Sequence, residues 1–284
     1  MSVSAERQVW ALYEPVHAIA YFDPHVSGCL AGAGLHGFWN GYFAGRAAPL
    51  GVVGPEPVTA LFFGFAPTMV AKAVPKVWGR ISPAGAVEAR LAAVSQTLTP
   101  LLGAGSLADV RRTADVLVHA AASVPVGGRA LAAAWQAVDP GDDLATRLWW
   151  AATVLREHRG DGHVLAATHA GLSGLETTLT HIASGTTTRE TMQPNRGWTD
   201  EEWTTASELL AMRGLLAPDG GLTPRGAEVR ERIEADTDRL ARTALGPITP
   251  ELGTIRPVMA GLARAIAAAG SLPAGNPMGV PLPE

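Results

Sequence analysis

Apolar residues recur every three to four positions along most of the chain, the spacing that places side chains on one face of a helix. The pattern predicts helices over residues 5–21, 24–44, 58–77, 83–102 and 107–122, and again over 144–155, 163–183 and 200–213. Gly and Pro mark the breaks between them. Ser82 before Pro83 and Thr223 before Pro224 read as N-caps followed by proline in the first turn. Thr199 with Glu202 three residues on reads as a capping box. The last ten residues carry three prolines and are expected to lie extended over the surface.

The helical pattern runs twice. Asp23-Pro24-His25-Val26 is matched by Asp161-Gly162-His163-Val164, and Ala33-Gly34-Leu35-His36-Gly37 by Ala170-Gly171-Leu172-Ser173-Gly174. Three further pairs follow in the same order: Ile81–Ala86 with Leu222–Ala227, Leu107–Arg111 with Leu252–Arg256, and Ser123–Gly127 with Ser271–Gly275. Five matches in register point to a duplication, with 1–140 as the first repeat and 141–284 as the second with its tail. The expected fold is mainly α: tandem winged-helix-like repeats forming one pseudo-two-fold unit, with short β-wing hairpins.

The wing expectation comes from residues 198–233. A helix ends in Arg213-Gly214-Leu215-Leu216, a turn follows at Ala217-Pro218-Asp219-Gly220-Gly221, and Leu222-Thr223-Pro224-Arg225-Gly226 opens another helix. This order is similar to the recognition helix, wing and following helix of the MarR group of regulators. The whole chain resembles the actinobacterial helix-turn-helix family of SalK-like proteins. The strings that carry the resemblance are Gly37-Phe38-Trp39-Asn40-Gly41-Tyr42-Phe43-Ala44-Gly45-Arg46-Ala47-Ala48-Pro49-Leu50-Gly51, the segment Arg156–His163, Arg196-Gly197-Trp198, and Asn276-Pro277-Met278-Gly279. It implies a winged-helix-like fold and no general biochemical role.

Composition narrows the function. Formal charge is −4 and charged residues make up 17%, so no broad basic footprint advertises nucleic acid. The candidate recognition helix offers Asp200, Glu201, Glu202 and Glu208 against Arg213, a poor match to a phosphate backbone. Its first-half counterpart, with Phe62, Phe63 and Phe65, reads as core. DNA is therefore a disfavoured partner. The single Cys29 excludes an intramolecular disulfide and fits a reducing cytoplasm. The first ten residues lack a basic then apolar leader, and no long uncharged apolar run predicts a membrane span.

Two constellations are candidate chemistry. Arg156-Glu157-His158-Arg159-Gly160-Asp161-Gly162-His163 sets six ionisable side chains between apolar segments, with a break expected at the glycines and Asp161 as the cap of the next helix. His36, Trp39, Asn40, Tyr42 and Arg46 form an aromatic and polar face on the repeat-related helix. Facing each other across the pseudo-two-fold, they would enclose a pocket lined also by His17, His25, His169 and Glu176. In a catalytic version His163 or His158 is the acid/base, Glu157 or Glu176 orients it, and Arg156 or Arg46 holds an anionic group. No metal-ligand spacing and no phosphate loop is present, and no cofactor is specified. The reading is a small-molecule-binding protein on a repurposed scaffold, with an enzyme of actinobacterial specialised metabolism as its catalytic form. The alternative is a MarR-like, ligand-responsive DNA-binding regulator. Monomer and homodimer both stay open, though a fused pseudo-dimer lessens the need for a second chain.

Overall fold

In the computed structural model, which describes residues 3–104, 106–273, 275–276 and 278–280, the chain is mainly helical and the described residues form no strand. Short polar side chains set many of the helix starts by accepting otherwise unpaired N–H groups. Ser4 opens α1 (Ala5–Phe22), and Asp23 opens α2 (Pro24–Gly32) by accepting from His25 and Val26. α3 (Phe38–Ala47) follows a turn through Gly34 and Gly37, both at positive φ. Next come α4 (Pro55–Phe62), α5 (Pro67–Ala73), α6 (Pro83–Leu98) capped by Ser82, α7 (Leu107–Ser123) capped by Ser106, and α8 (Ala130–Gln136). The second half runs through α9 (Leu144–His169), α10 (Gly174–Ala183), α11 (Arg189–Arg196), α12 (Asp200–Met212), α13 (Pro224–Ala241), α14 (Leu245–Ile248) and α15 (Leu252–Ala268). Thr199 and Glu202 make the expected reciprocal capping box at α12, and Ser173 with Glu176 makes another at α10.

Helix α9 is the axis on which α1, α6, α7, α8 and α13 pack. Its first three turns bury Ala145, Leu148, Trp149, Trp150, Ala151, Ala152, Val154 and Leu155, with Thr146 and Thr153 among them and Arg147 reaching out to Asp115. These residues join the larger core, which draws on α1 to α8 and on α15. The far end of α9 supplies Ala166 and Ala167 to a second, smaller core with Leu172, Leu175, Leu179, Trp203, Leu210 and Ile233. Trp198 packs against both cores, and its indole Nε1 donates to the Gly64 carbonyl at 2.9 Å. Beside it the chains come close enough that a Cβ on Gly174 would lie 1.7 Å from the Phe63 carbonyl oxygen.

Several expectations are corrected. The break expected at the glycines of Arg156–His163 is absent: α9 runs through them for 26 residues, and Asp161 sits inside the helix rather than capping one. Gly162 serves packing instead, since a Cβ there would meet Arg129 Nη1 at 2.6 Å and Leu240 Cβ at 3.3 Å. The predicted helix 24–44 is split at Gly34–Gly37, and the stretch 58–77 at Phe63–Ala66, where Phe63 takes a φ of 43°. In place of a wing hairpin there is one isolated bridge, Leu216 to Leu222, closing the turn at Ala217–Gly221. The arms cannot lengthen because Thr223 already caps α13 through the Gly226 N–H at 3.0 Å. The tail folds back: Asn276 and Val280 are buried, and the Asn276 amide bonds the backbone of Pro273, Met278 and Val280. Ala274, Pro277 and residues 281–284 lie outside the described residues.

Candidate functional site

Helix α1 presents Trp10, Glu14, His17 and Tyr21 at helical spacing along one line. That line faces the middle of α9, and charged groups converge there. Arg46 of α3 donates through Nε to Glu157 Oε1 and through Nη2 to Glu157 Oε2, both at 2.8 Å. Arg156 Nη1 donates to Glu157 Oε2 at 3.0 Å, and its Nε reaches Glu14 Oε1 at 3.4 Å. Trp10 Nε1 donates to the other Glu14 oxygen at 2.8 Å. His17 pairs through Nδ1 with Thr153 Oγ1 at 2.9 Å and through Nε2 with the Tyr21 hydroxyl at 3.1 Å. Arg90 of α6, fully buried, lies over the rings of Tyr21, Trp149 and Trp135.

The electrostatics follow from this geometry. Burial works to raise the Glu157 carboxyl, but the Arg46 and Arg156 guanidiniums outweigh it and hold the group well below the usual carboxylate range. Burial raises the Glu14 carboxyl, with Arg156 opposing. His17 is held well below its ordinary value by burial and then by Arg156, so its imidazole is neutral. Burial pushes the Tyr21 phenol up to about 12, with Arg90 opposing. Glu157 is thus a fixed charge, and the His17 imidazole and Tyr21 phenol beside it are neutral.

A cavity of about 270 Å³ adjoins the cluster between α1, α2 and α3. Ala20, Leu30, Leu35 and Phe38 give it apolar walls, and Tyr21 and Tyr42 bring it hydroxyl-bearing rings. The Tyr42 hydroxyl accepts from Arg46 Nη1 at 3.4 Å, which connects the cavity wall to the Glu157 pair.

Of the residues singled out from sequence, Glu157, Arg156, Arg46, His17 and Tyr42 come together here, and Trp39 joins the adjoining aromatic cluster with Tyr42, Phe43 and Phe65. The others lie elsewhere. His158 pairs with the Pro125 carbonyl at 3.1 Å, and burial, then Arg129, holds it down to about 4. His163 pairs with Thr237 Oγ1 at 3.0 Å and is held down to about 4 by burial, partly offset by Glu234. Asp161 accepts from the Ala132 N–H at 3.0 Å and is raised to about 6 by burial and then by Glu157. Glu176 caps α10 and pairs with Arg213, and His169 is exposed at the end of α9. His36 is exposed, its carbonyl accepting from Asn40, and His25 is exposed beside Gln96. Sequence reading missed Arg90, Tyr21 and Glu14. Arg90 could have been found as the one cation on the buried stripe Ala86, Arg90, Ala93, Val94 of α6.

A second surface is the outer side of α12, where Asp200, Glu201, Thr204, Thr205, Glu208, Leu209 and Met212 are exposed. The model of a helix-turn-helix family matches residues 6–273, nearly the whole chain. The chain belongs to this helix-turn-helix family. No curated protein and no solved structure matches it. Helix-turn-helix segments are a DNA-binding type of domain, in which one helix enters the major groove and neighbouring groups hold phosphates. Here Arg189 pairs with Asp200 of α12 at 2.7 Å, and Arg213 at the end of α12 pairs with Glu176 at 2.8 Å. Among the described residues no group of three His, Cys, Asp or Glu is placed to hold a metal, and no helix is long and apolar enough to cross a membrane.

Proposed function

We propose that this helix-turn-helix protein binds a small molecule in the cavity between α1, α2 and α3. The observation that carries the reading is the cavity's make-up: apolar walls with the Tyr21 and Tyr42 rings, backed by the buried Arg46–Glu157 pair. Ligand sites are concave, mostly apolar and carry a few placed polar groups. The Gly37–Gly51 string, which carries the resemblance to SalK-like proteins, forms α3 and so one wall of this cavity. Binding fits the site better than turnover, because Glu157 is locked by two arginines and the His158 and His163 rings are engaged elsewhere. We also infer an ancestral duplication, supported by the matching starts of α6 and α13, where Ser82 and Thr223 each accept from a glycine three residues on.

The test is ligand-observed NMR with benzyl alcohol, comparing wild type with Gly28→Leu. Gly28 lines the cavity, and its Cβ position meets nothing within 4 Å, so the fold admits a leucine there to narrow the cavity. Saturable binding that Gly28→Leu abolishes supports the cavity; binding that ignores the substitution removes it.

The second reading, a ligand-responsive DNA-binding regulator, is favoured by the family itself. Exposed Arg80, Arg225 and Arg232 are its available phosphate contacts. Duplex binding by fluorescence anisotropy that weakens steeply with salt would establish it. No binding at low salt leaves the acidic face of α12 without a nucleic-acid role.

A further inference from the structure

A second cavity, of about 340 Å³, shares no lining residue with the first and lies where the starts of α7 and α15 meet the turn at Thr99–Ala104. Its walls draw on two strings that match in sequence, Leu107–Arg111 and Leu252–Arg256. Asp109 and Val110 come from one, Gly253 and Thr254 from the other. Leu101, Leu102, Val258 and Leu262 make the rest of the lining largely apolar.

The polar side chains on these walls are a carboxylate and hydroxyls; among the described residues no Lys, Arg or His lines the cavity. Asp109 supplies the one formal charge. It stands third in its string, and the matching position of the other string is Thr254. Asp109 makes no ion pair among the described residues. The cation one turn on, Arg112, is engaged by Glu251, donating through Nε and Nη2 to its two oxygens, each at 2.9 Å. Pro257 creates a second open acceptor. It lies inside α15 and has no N–H, so the Gly253 carbonyl four residues earlier lacks its usual helical donor. Gly253 and Pro257 both line the cavity, which puts this gap in the hydrogen-bond ladder on its wall. Gly253 also leaves room there, since its Cβ position meets nothing within 4 Å. A carboxylate without a counter-ion and a carbonyl without a donor are both matched by a donor that carries positive charge. Asp109 and Gly253 are exposed, so solvent weakens that attraction and the apolar walls must supply most of the affinity.

We propose that this cavity between the starts of α7 and α15 is a separate binding site, which takes a primary amine with an apolar body. The ammonium is received by the Asp109 carboxylate and the Gly253 carbonyl, and the body lies against Leu101, Val110, Val258 and Leu262. One negative charge on the lining selects a monocation over a polyamine. The volume lies at the lower end of the range for ligand pockets and suits a small arylalkylamine. The site stands or falls independently of the cavity between α1, α2 and α3.

The experiment titrates the full chain with phenethylamine, 2-phenylethanol and phenylacetate at neutral pH and constant ionic strength. The three probes share a body and carry a positive, a neutral and a negative head group. The readout is the methyl NMR shifts of Leu101, Val110, Val258 and Leu262, which report where a probe binds. Phenethylamine is expected to move these methyls saturably, 2-phenylethanol to bind about 5-fold more weakly, the factor for an exposed ion pair, and phenylacetate more weakly still. Asp109→Asn should bring phenethylamine to the level of the alcohol and leave the alcohol unchanged. Pro257→Ala restores the missing N–H with a better helix former, so it should fold at least as well and also weaken phenethylamine. Phenethylamine that moves none of these methyls overturns the proposal, as does phenylacetate that binds as tightly as the amine. An Asp109→Asn protein that binds phenethylamine like wild type overturns the role of the carboxylate and with it the choice of an amine. Unchanged binding in Pro257→Ala overturns the part assigned to the Gly253 carbonyl.

Discussion

Arg46 and Glu157, 111 positions apart in sequence, meet in a two-point contact with both nitrogen–oxygen distances at 2.8 Å and Glu157 wholly buried. The contact ties α3 to the middle of α9. Paired buried charges of this kind repay their lost hydration only while both partners are present. The first prediction follows from that asymmetry.

Glu157→Gln should lower stability by about 3–5 kcal/mol, since it leaves the buried Arg46 guanidinium without its counter-charge and Arg156 with Glu14 alone. Adding Arg46→Met should recover part of the loss, so the two changes should be non-additive by more than about 0.5 kcal/mol. Urea denaturation of the single and double variants reads both numbers. A Glu157→Gln protein within about 1 kcal/mol of wild type would show that water solvates the cluster.

Stability should fall as pH drops from 6.5 to about 4. In the folded chain His158, His163 and His181 are each held down to about 4, chiefly by burial, against an ordinary 6.5. Between those values the unfolded chain binds protons that the folded chain refuses, so acid favours unfolding. Asp161, raised to about 6 from 3.8, works the other way: the folded chain takes up its proton first and gains stability as pH falls through that range. His17, held well below its ordinary value by burial, adds to the loss, and Glu14, raised by burial, adds to the gain; four imidazoles against two carboxyls leave a net loss. Denaturation midpoints at pH 7, 5.5 and 4.5 check the sign, and a flat profile would remove the histidines from the buried set.

Two glycine substitutions should move stability in opposite directions. Gly174→Ala forces a Cβ against the Phe63 carbonyl, which is backbone and cannot turn aside, so it should destabilise by more than about 2 kcal/mol. Gly261 lies within α15, where its Cβ position meets nothing within 4 Å; Gly261→Ala should stabilise by up to about 1 kcal/mol. Thermal midpoints of the two proteins decide this.

Thr199→Ala removes the hydroxyl that accepts from Glu202 N–H and should cost about 1 kcal/mol. The loss should appear first as faster amide exchange in α12, and exchange unchanged there would mean that packing of Trp203 and Leu210 alone holds the helix start.

Much of the helical architecture was legible because caps are local. Ser82, Thr199 and Thr223 announce their helices through residues three positions away, and each cap is present. Gly160 and Gly162 misled for a physical reason. Glycine reads as a break, but inside a crowded bundle it also serves as the residue that lets Arg129 and Leu240 pack against α9. The wing misled because a turn signal fixes the reversal and says nothing of arm length, which Thr223 and Pro224 cut short by starting α13. At the site, the charged run was visible in sequence, yet its members diverge. Glu157 faces Arg46, while His158 and His163 point toward the α7–α8 connection and toward α13. Arg90 and Tyr21 escaped because each sits alone among apolar neighbours, where only their burial gives them meaning.

Twenty-six residues of uninterrupted helix make α9 a shaft of about 39 Å. One end is seated in the larger core, and the other carries Ala166 and Ala167 into the smaller one beside α10 and α12. The two cores are therefore threaded on one continuous helix, with no linker on which they could part.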